Sequence, residues 1–223
     1  MNHAFRRFLP LVVALASVSA HAQFYKLHGV TVLVGATGPF DTQLSSNPSS
    51  GSYQVSGSNG GVLNETVSNQ QQFTTNSVGL VTSLQFHPRP WAGIEVNYGY
   101  RTYSEIYQFN YSSTTIPQTS RVRTSSHEAT GAYEFHPRHI PFQPFVNVGG
   151  GAIDFVPKYG QNQWRGAGLL EAGFDIPTHN PHFGFRVEGR SLFYRAPNFN
   201  TPAVSTSSWR ATDEASVGTF YRF

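Results

Sequence analysis

The chain has 223 residues, 15 Lys and Arg against 12 Asp and Glu, nine His, a net charge of +3 and no cysteine. Without thiols there is no disulfide framework and no thiolate metal site. Its basic residues are scattered, which leaves no electrostatic footprint for nucleic acid. Charged residues make up only 12% and aromatics 14%, a balance that suits a wall with one apolar face, one polar face and hydrated loops.

At the N-terminus, Arg6 and Arg7 precede the apolar stretch Phe8 to Val18, and Ala20-His21-Ala22 has the form of a cleavage site. Residues 1–22 are expected to be a secretory signal, with Ala20 and Ala22 as the small residues read at cleavage, and 23–223 one domain. Losing Arg6 and Arg7 brings the remaining charge close to balance. No later run of about 18 apolar residues exists, so no helix is expected to span a membrane.

Downstream, helical periodicity is missing and alternation with period two is frequent. Val30, Val32, Val34 and Ala36 alternate with Thr31, Leu33 and Gly35. The same pattern recurs at Val78–Phe86, Ala92–Arg101, Phe183–Arg190 and Arg210–Phe223. Strands are expected near 28–40, 71–86, 91–106, 120–135, 142–156, 164–176, 183–195 and 209–223. Three tight links separate them: His87-Pro88-Arg89, its repeat His136-Pro137-Arg138, and Pro177 to His182. Between these lie longer polar stretches, Thr42 to Asn69, Gln108 to Thr119, Pro157 to Gln163 and Ala196 to Ser208, the first Ser- and Gly-rich and expected to be a mobile loop. Alternating short turns and long loops around eight such strands describe an all-β, antiparallel up-and-down transmembrane barrel. The sheet must close, because an open edge cannot sit in hydrocarbon.

The charges keep to one parity. Glu95, Arg101, Glu128, Glu134, Glu171, Arg186, Glu188, Arg190, Arg210, Glu214 and Arg222 all fall opposite the apolar faces of their strands. Facing lipid at mid-depth, an Arg or Lys costs about 2–4 kcal/mol. Facing inward, these groups can pair and fill an eight-stranded barrel, so they are expected to form an ion-pair plug centred on Arg186, Glu188 and Arg190. Asp213 falls on the lipid-facing parity near the rim. Asn147 and Asp154 fall on opposite parities, with Gly149-Gly150-Gly151 between them as a candidate bulge.

Phe86, Trp91, Phe135, Phe142, Tyr221 and Phe223 lie beside the short turns. Tyr103, Tyr107, Trp164 and Trp209 lie toward the long loops, so both sets are expected to form interfacial girdles. His87, His136, His139, His179 and His182 sit at the short turns. They are expected to be turn residues, with a metal or pH-sensing cluster as the alternative.

The last strand carries Gly218, Tyr221 and Phe223 at the offsets of the assembly signal of outer-membrane barrels. With Pro144 to Gly151 and Gly184 to Glu188, the chain from about residue 27 onward resembles the small eight-stranded OmpA-like and opacity-like barrels. That resemblance implies an outer-membrane location, contact with outer-membrane lipids, recognition by barrel-insertion machinery, and a role in adhesion, envelope integrity or solute leakage. No cofactor and no nucleic-acid partner are expected. The leading expectation is a non-enzymatic surface barrel; the alternative is a narrow porin-like channel. A lipid-modifying enzyme is a third reading. The lipid A deacylase pattern has only a broken echo in His182-Phe183-Gly184, and Ser125-Ser126-His127-Glu128 is too local for a triad within one strand.

Overall fold

The computed structural model describes residues 29–43, 51–56, 62–111, 116, 118–137, 142–199 and 208–223. The expected signal segment, with Ala20 and Ala22, lies outside them. Among the described residues ten strands form a single antiparallel sheet: β1 (Val30–Gln43), β2 (Gly51–Ser56), β3 (Val62–Thr74), β4 (Gly79–Arg89), β5 (Ala92–Tyr111), β6 (Gln118–Phe135), β7 (Pro144–Pro157), β8 (Gln163–Pro177), β9 (Phe183–Arg195) and β10 (Trp209–Arg222). Eight of these close a ring in the order β1-β4-β5-β6-β7-β8-β9-β10, sealed where β1 pairs with β10 from Thr31↔Arg222 to Gln43↔Arg210. Among the described residues no helix is long and apolar enough to cross a membrane.

Period-two alternation becomes two faces of one wall. On β9, Arg186, Glu188 and Arg190 are buried while Phe185 and Val187 stand outward and exposed. The same inversion holds around the ring: Val34, Leu80, Val96, Val148 and Val217 all face outward. A polar inside and an apolar outside is the reverse of a water-soluble barrel and matches the transmembrane kind.

The stretch expected to be a mobile loop from Thr42 to Asn69 instead carries β2 and most of β3. β3 pairs with the far end of β5, from Val67↔Tyr111 to Thr74↔Glu105, with a register shift between Ser68 and Gln71. The expected loop Gln108 to Thr119 is also shorter, because β5 and β6 stay paired up to Phe109↔Gln118. β5 therefore has 20 residues. At about 3.4 Å per residue and a tilt of about 40°, it rises about 50 Å, roughly twice the apolar band of such a barrel. Its outward residues change accordingly, from Ile94 and Val96 to Thr102, Ser104 and Gln108.

β7 contains no bulge. Its pairing with β6 runs without a shift from Thr124↔Pro157 to Phe135↔Val146. Asn147 and Asp154 accordingly lie on opposite faces, Asn147 inward and Asp154 outward. Gly149 and Gly151 permit a close approach instead: a Cβ would meet the carbonyl oxygens of Gly131 and Ala129 at 2.0 and 2.1 Å.

Candidate functional site: the filled lumen

Buried charged and polar side chains of the described residues occupy the interior at several levels. At the short-turn end Arg186 is the hub. Its Nε and one terminal nitrogen donate to Asp175 at 2.6 and 3.1 Å. Its other terminal nitrogen donates to Glu95 and Glu134 at 3.2 and 3.1 Å. The guanidinium lies 3.8 Å from the centroid of the Phe145 ring. Asn147 donates to both Glu95 and Glu171 at 2.8 Å, and Gln85 donates to Glu95 at 3.1 Å. Arg222 stands at the rim, 3.7 Å from Asp175.

Midway, Arg190 draws in three strands. It binds Glu128, lies 3.2 Å from Glu171 and 3.6 Å from Glu214. Glu188 sits at this level but accepts a hydrogen bond from Ser216 at 2.8 Å rather than from a guanidinium. Toward the long-loop end, Arg101 donates to Ser126, Tyr194 and Thr212 and lies 3.4 Å from Asp41. Arg210 makes a two-pronged contact with Glu105 at 2.7 and 3.1 Å. A cavity of about 10 Å³ among Arg101, Ser126, Glu128 and Glu214 has room for roughly one water.

The long-loop mouth is closed by an apolar layer. Tyr103, Tyr107, Phe109, Phe155, Leu192 and Tyr194 form a buried cluster inside the ring, and Phe199 inserts among them. Tyr103 and Tyr107 are thus interior residues, 4% and 3% exposed, and not members of a girdle. Trp164 and Trp209 do stand outward, as do Phe86, Phe135, Phe142 and Tyr221. The segment carrying Phe199 is tied down by its main chain. Pro197 O accepts from Gln72 at 2.7 Å and Tyr107 at 3.2 Å, and Gln163 accepts from the amides of Asn198 and Phe199 at 3.0 Å.

Several members of the network lie outside the expected ion-pair set: Asp41, Glu105, Asp175, Gln72 and Gln85, and with them His87 and His136, expected as turn residues with a metal or pH-sensing cluster as the alternative. Glu105 and Asp175 share the parity of Glu95 and Glu171 on their own strands, a signal sufficient to find them. Among the described residues nine carboxylates stand inward and buried, on Asp41, Glu95, Glu105, Glu128, Glu134, Glu171, Asp175, Glu188 and Glu214, against the four guanidinium groups of Arg101, Arg186, Arg190 and Arg210. The lumen is richer in acid than in base.

Strand alternation also separates the Ser-Ser-His-Glu run. Ser126 and Glu128 point inward, Ser125 and His127 outward. Asp154 pairs opposite His127 on the outer face. The Tyr98 hydroxyl meets His127 Nδ1 at 2.8 Å, and Ser125 shares a 3.4 Å hydrogen bond with Thr102. Asp213, half-buried near the long-loop end, accepts from Ser191 at 2.5 Å. Gly218 pairs with Gly35 across the seam, where a Cβ would meet Val34 O at 2.7 Å. The Tyr221 and Phe223 rings meet edge to face at 4.9 Å, and the Phe223 amide donates to Val30 O at 2.9 Å.

No model of a known protein family matches the chain, and no curated protein matches it. Among solved structures it is similar to Neisserial surface protein A, with 11% identity, TM-score 0.48, and 87% of this chain and 97% of that one covered. It is similar to the outer membrane protein AlkL, solved in lipid bilayers, with 16% identity, TM-score 0.46 and coverage of 88% and 90%. It is also similar to Ail, the attachment invasion locus protein of Yersinia pestis, with 10% identity, TM-score 0.41 and coverage of 88% and 99%.

Proposed function

We propose that the protein is a non-enzymatic outer-membrane barrel with a structural plug for a lumen, acting through the wall that rises above the membrane. The observation that carries this reading is the sequence of closures along the axis. Arg186, Arg190 and the Arg101–Arg210 pair each gather carboxylates from strands across the ring, and the Pro197–Phe199 segment is seated in the long-loop mouth. Each of these four guanidinium groups is held by more than one partner across the lumen, which supports a plug over a path for a solute. In this reading outer-membrane lipid surrounds β1 and β4 to β10, which the exposed apolar residues of their outer face, such as Val34, Val96 and Val217, support. The polar upper parts of β5 and β6, braced by β3, then stand outside as the surface that meets other molecules. The short turns face the periplasm in this orientation.

The test is conductance of the refolded protein in a planar bilayer. No steady channel is expected from the wild type. A large, stable, ohmic channel would overturn the plug and favour the alternative of a narrow pore. The excess of carboxylates gives that alternative a specific form, since such a pore would select cations.

A further inference from the structure

We propose that His87, Glu134 and His136 form a binding site for a divalent transition-metal ion of the zinc class at the short-turn mouth of the barrel. The two imidazole Nε2 atoms converge on a single oxygen, Glu134 Oε1, each at 2.5 Å. The three candidate ligand atoms lie within 4.8 Å of one another. Around tetrahedral zinc, with ligand distances of about 2.0–2.2 Å, neighbouring ligand atoms stand about 3.3 Å apart. A small outward tilt of the two rings is therefore enough to admit the ion. Two histidines and one carboxylate leave a fourth position for water, as in sites that keep one coordination place open.

The local sequence builds this convergence. The Phe-His-Pro-Arg link at the end of β4 recurs at the end of β6, and β5 runs between these two strands in the ring. An inward side chain on β5 at that level would separate the two histidines, but the residue there is Gly93, paired with Glu134. A Cβ on Gly93 would meet His87 Cδ2 at 2.7 Å and Nε2 at 3.0 Å. The missing side chain is the cradle in which the His87 ring lies. Main-chain bonds fix both histidines, from the His87 amide to Gly29 O at 2.8 Å and from the His136 amide to Trp91 O at 3.0 Å.

The supporting groups suit a metal ligand. Glu134 Oε2 accepts from Arg186 at 3.1 Å and from Gln85 and Asn147 at 3.4 Å, which orients Oε1 toward the histidines. Outer partners of this kind hold ligands in place. The two histidine side chains are 16% and 12% exposed while Glu134 is 1% exposed, so an ion can enter from the mouth. A divalent cation also offsets part of the acid excess of the lumen. Bound there, it ties the β4–β5 turn to the end of β6.

The experiment is zinc titration of the refolded protein by calorimetry, with cobalt as a spectroscopic probe and thermal unfolding as a second readout. Wild type is expected to take up one zinc ion per chain, to develop the visible absorption of low-coordinate cobalt, and to unfold at higher temperature as zinc rises. His87→Gln and His136→Gln keep a hydrogen-bonding group near Glu134 and are expected to refold. Each should weaken zinc binding by at least about 100-fold, the upper end of what loss of an outer partner costs. Gly93→Ala should push the His87 ring aside and weaken binding by about 10–100-fold while the barrel still forms. His179→Ala with His182→Ala should leave binding unchanged. Absence of stoichiometric uptake by wild type overturns the proposal. So does equal affinity in the His87→Gln/His136→Gln double variant, which would place the ion elsewhere.

Discussion

Replacing Arg186 by methionine is the most demanding test of the plug. Arg186 is 1% exposed, and its guanidinium is shared by Asp175, Glu95 and Glu134. Methionine keeps much of the apolar contact with Phe145 but removes all four donated bonds at once. Breaking a buried pair by deleting one partner costs about 3–5 kcal/mol, because the surviving charge is left uncompensated. Here three carboxylates are left. Among the described residues Asp175 then retains the distant Arg222, and Glu95 and Glu134 retain amide donors and histidines. The expected loss is therefore at the upper end, about 5 kcal/mol. Urea unfolding in lipid vesicles, followed by tryptophan fluorescence and by the gel mobility of unboiled samples, measures it. Adding Asp175→Asn to Arg186→Met should recover part of the loss, because it removes one stranded charge. An unchanged midpoint for Arg186→Met would refute the argument, since it would mean that the network carries no net stability. A double variant that loses the full sum of its singles would show that Asp175 is held by partners other than Arg186.

Gly151→Ala should sharply reduce the fraction that refolds to a heat-modifiable barrel, because the new methyl meets the Ala129 carbonyl oxygen at 2.1 Å and Thr130 Cα at 2.6 Å. Gly168→Ala, where nothing lies within 4 Å, is the control and should refold normally; equal yields would show that β6 and β7 have room to part. Phe199→Ala should cost about 3–5 kcal/mol, the usual range for emptying an aromatic core position, and should expose the Pro197 region to protease. Wild-type protease resistance together with an unchanged unfolding midpoint would mean that the mouth is not closed by this ring.

The wall was legible because lipid and lumen impose opposite demands on alternate residues. β9 shows this most plainly: Phe185 and Val187 cannot exchange faces with Arg186 and Glu188 without placing charge in hydrocarbon, and its limits, Phe183–Arg195, are those the alternation marks. Above the membrane that contrast fades. β2 and β3 are held by main-chain ladders to one another and to β5, and a ladder leaves no trace in a Ser- and Gly-rich composition. The same loss of contrast hid Tyr103 and Tyr107. Their position near the long loops suggested a girdle, whereas their parity with Glu95 and Arg101 puts them inside. Parity tells which side of the wall a residue faces, but not what it meets there. The meeting of Arg186 with Glu95 and Glu134 joins residues 91 and 52 positions away and depends on the stagger with which the ring closes, which no single strand encodes. The histidine pair lies between these cases. The repeated Phe-His-Pro-Arg link and the glycine at position 93 are both visible in the chain, yet they become one site only when β5 is seen to run between β4 and β6. Asp154 argues the same point from the outside. On parity alone an outward aspartate is an error, but it pairs opposite His127 and Trp164, and these neighbours leave it only 4% exposed.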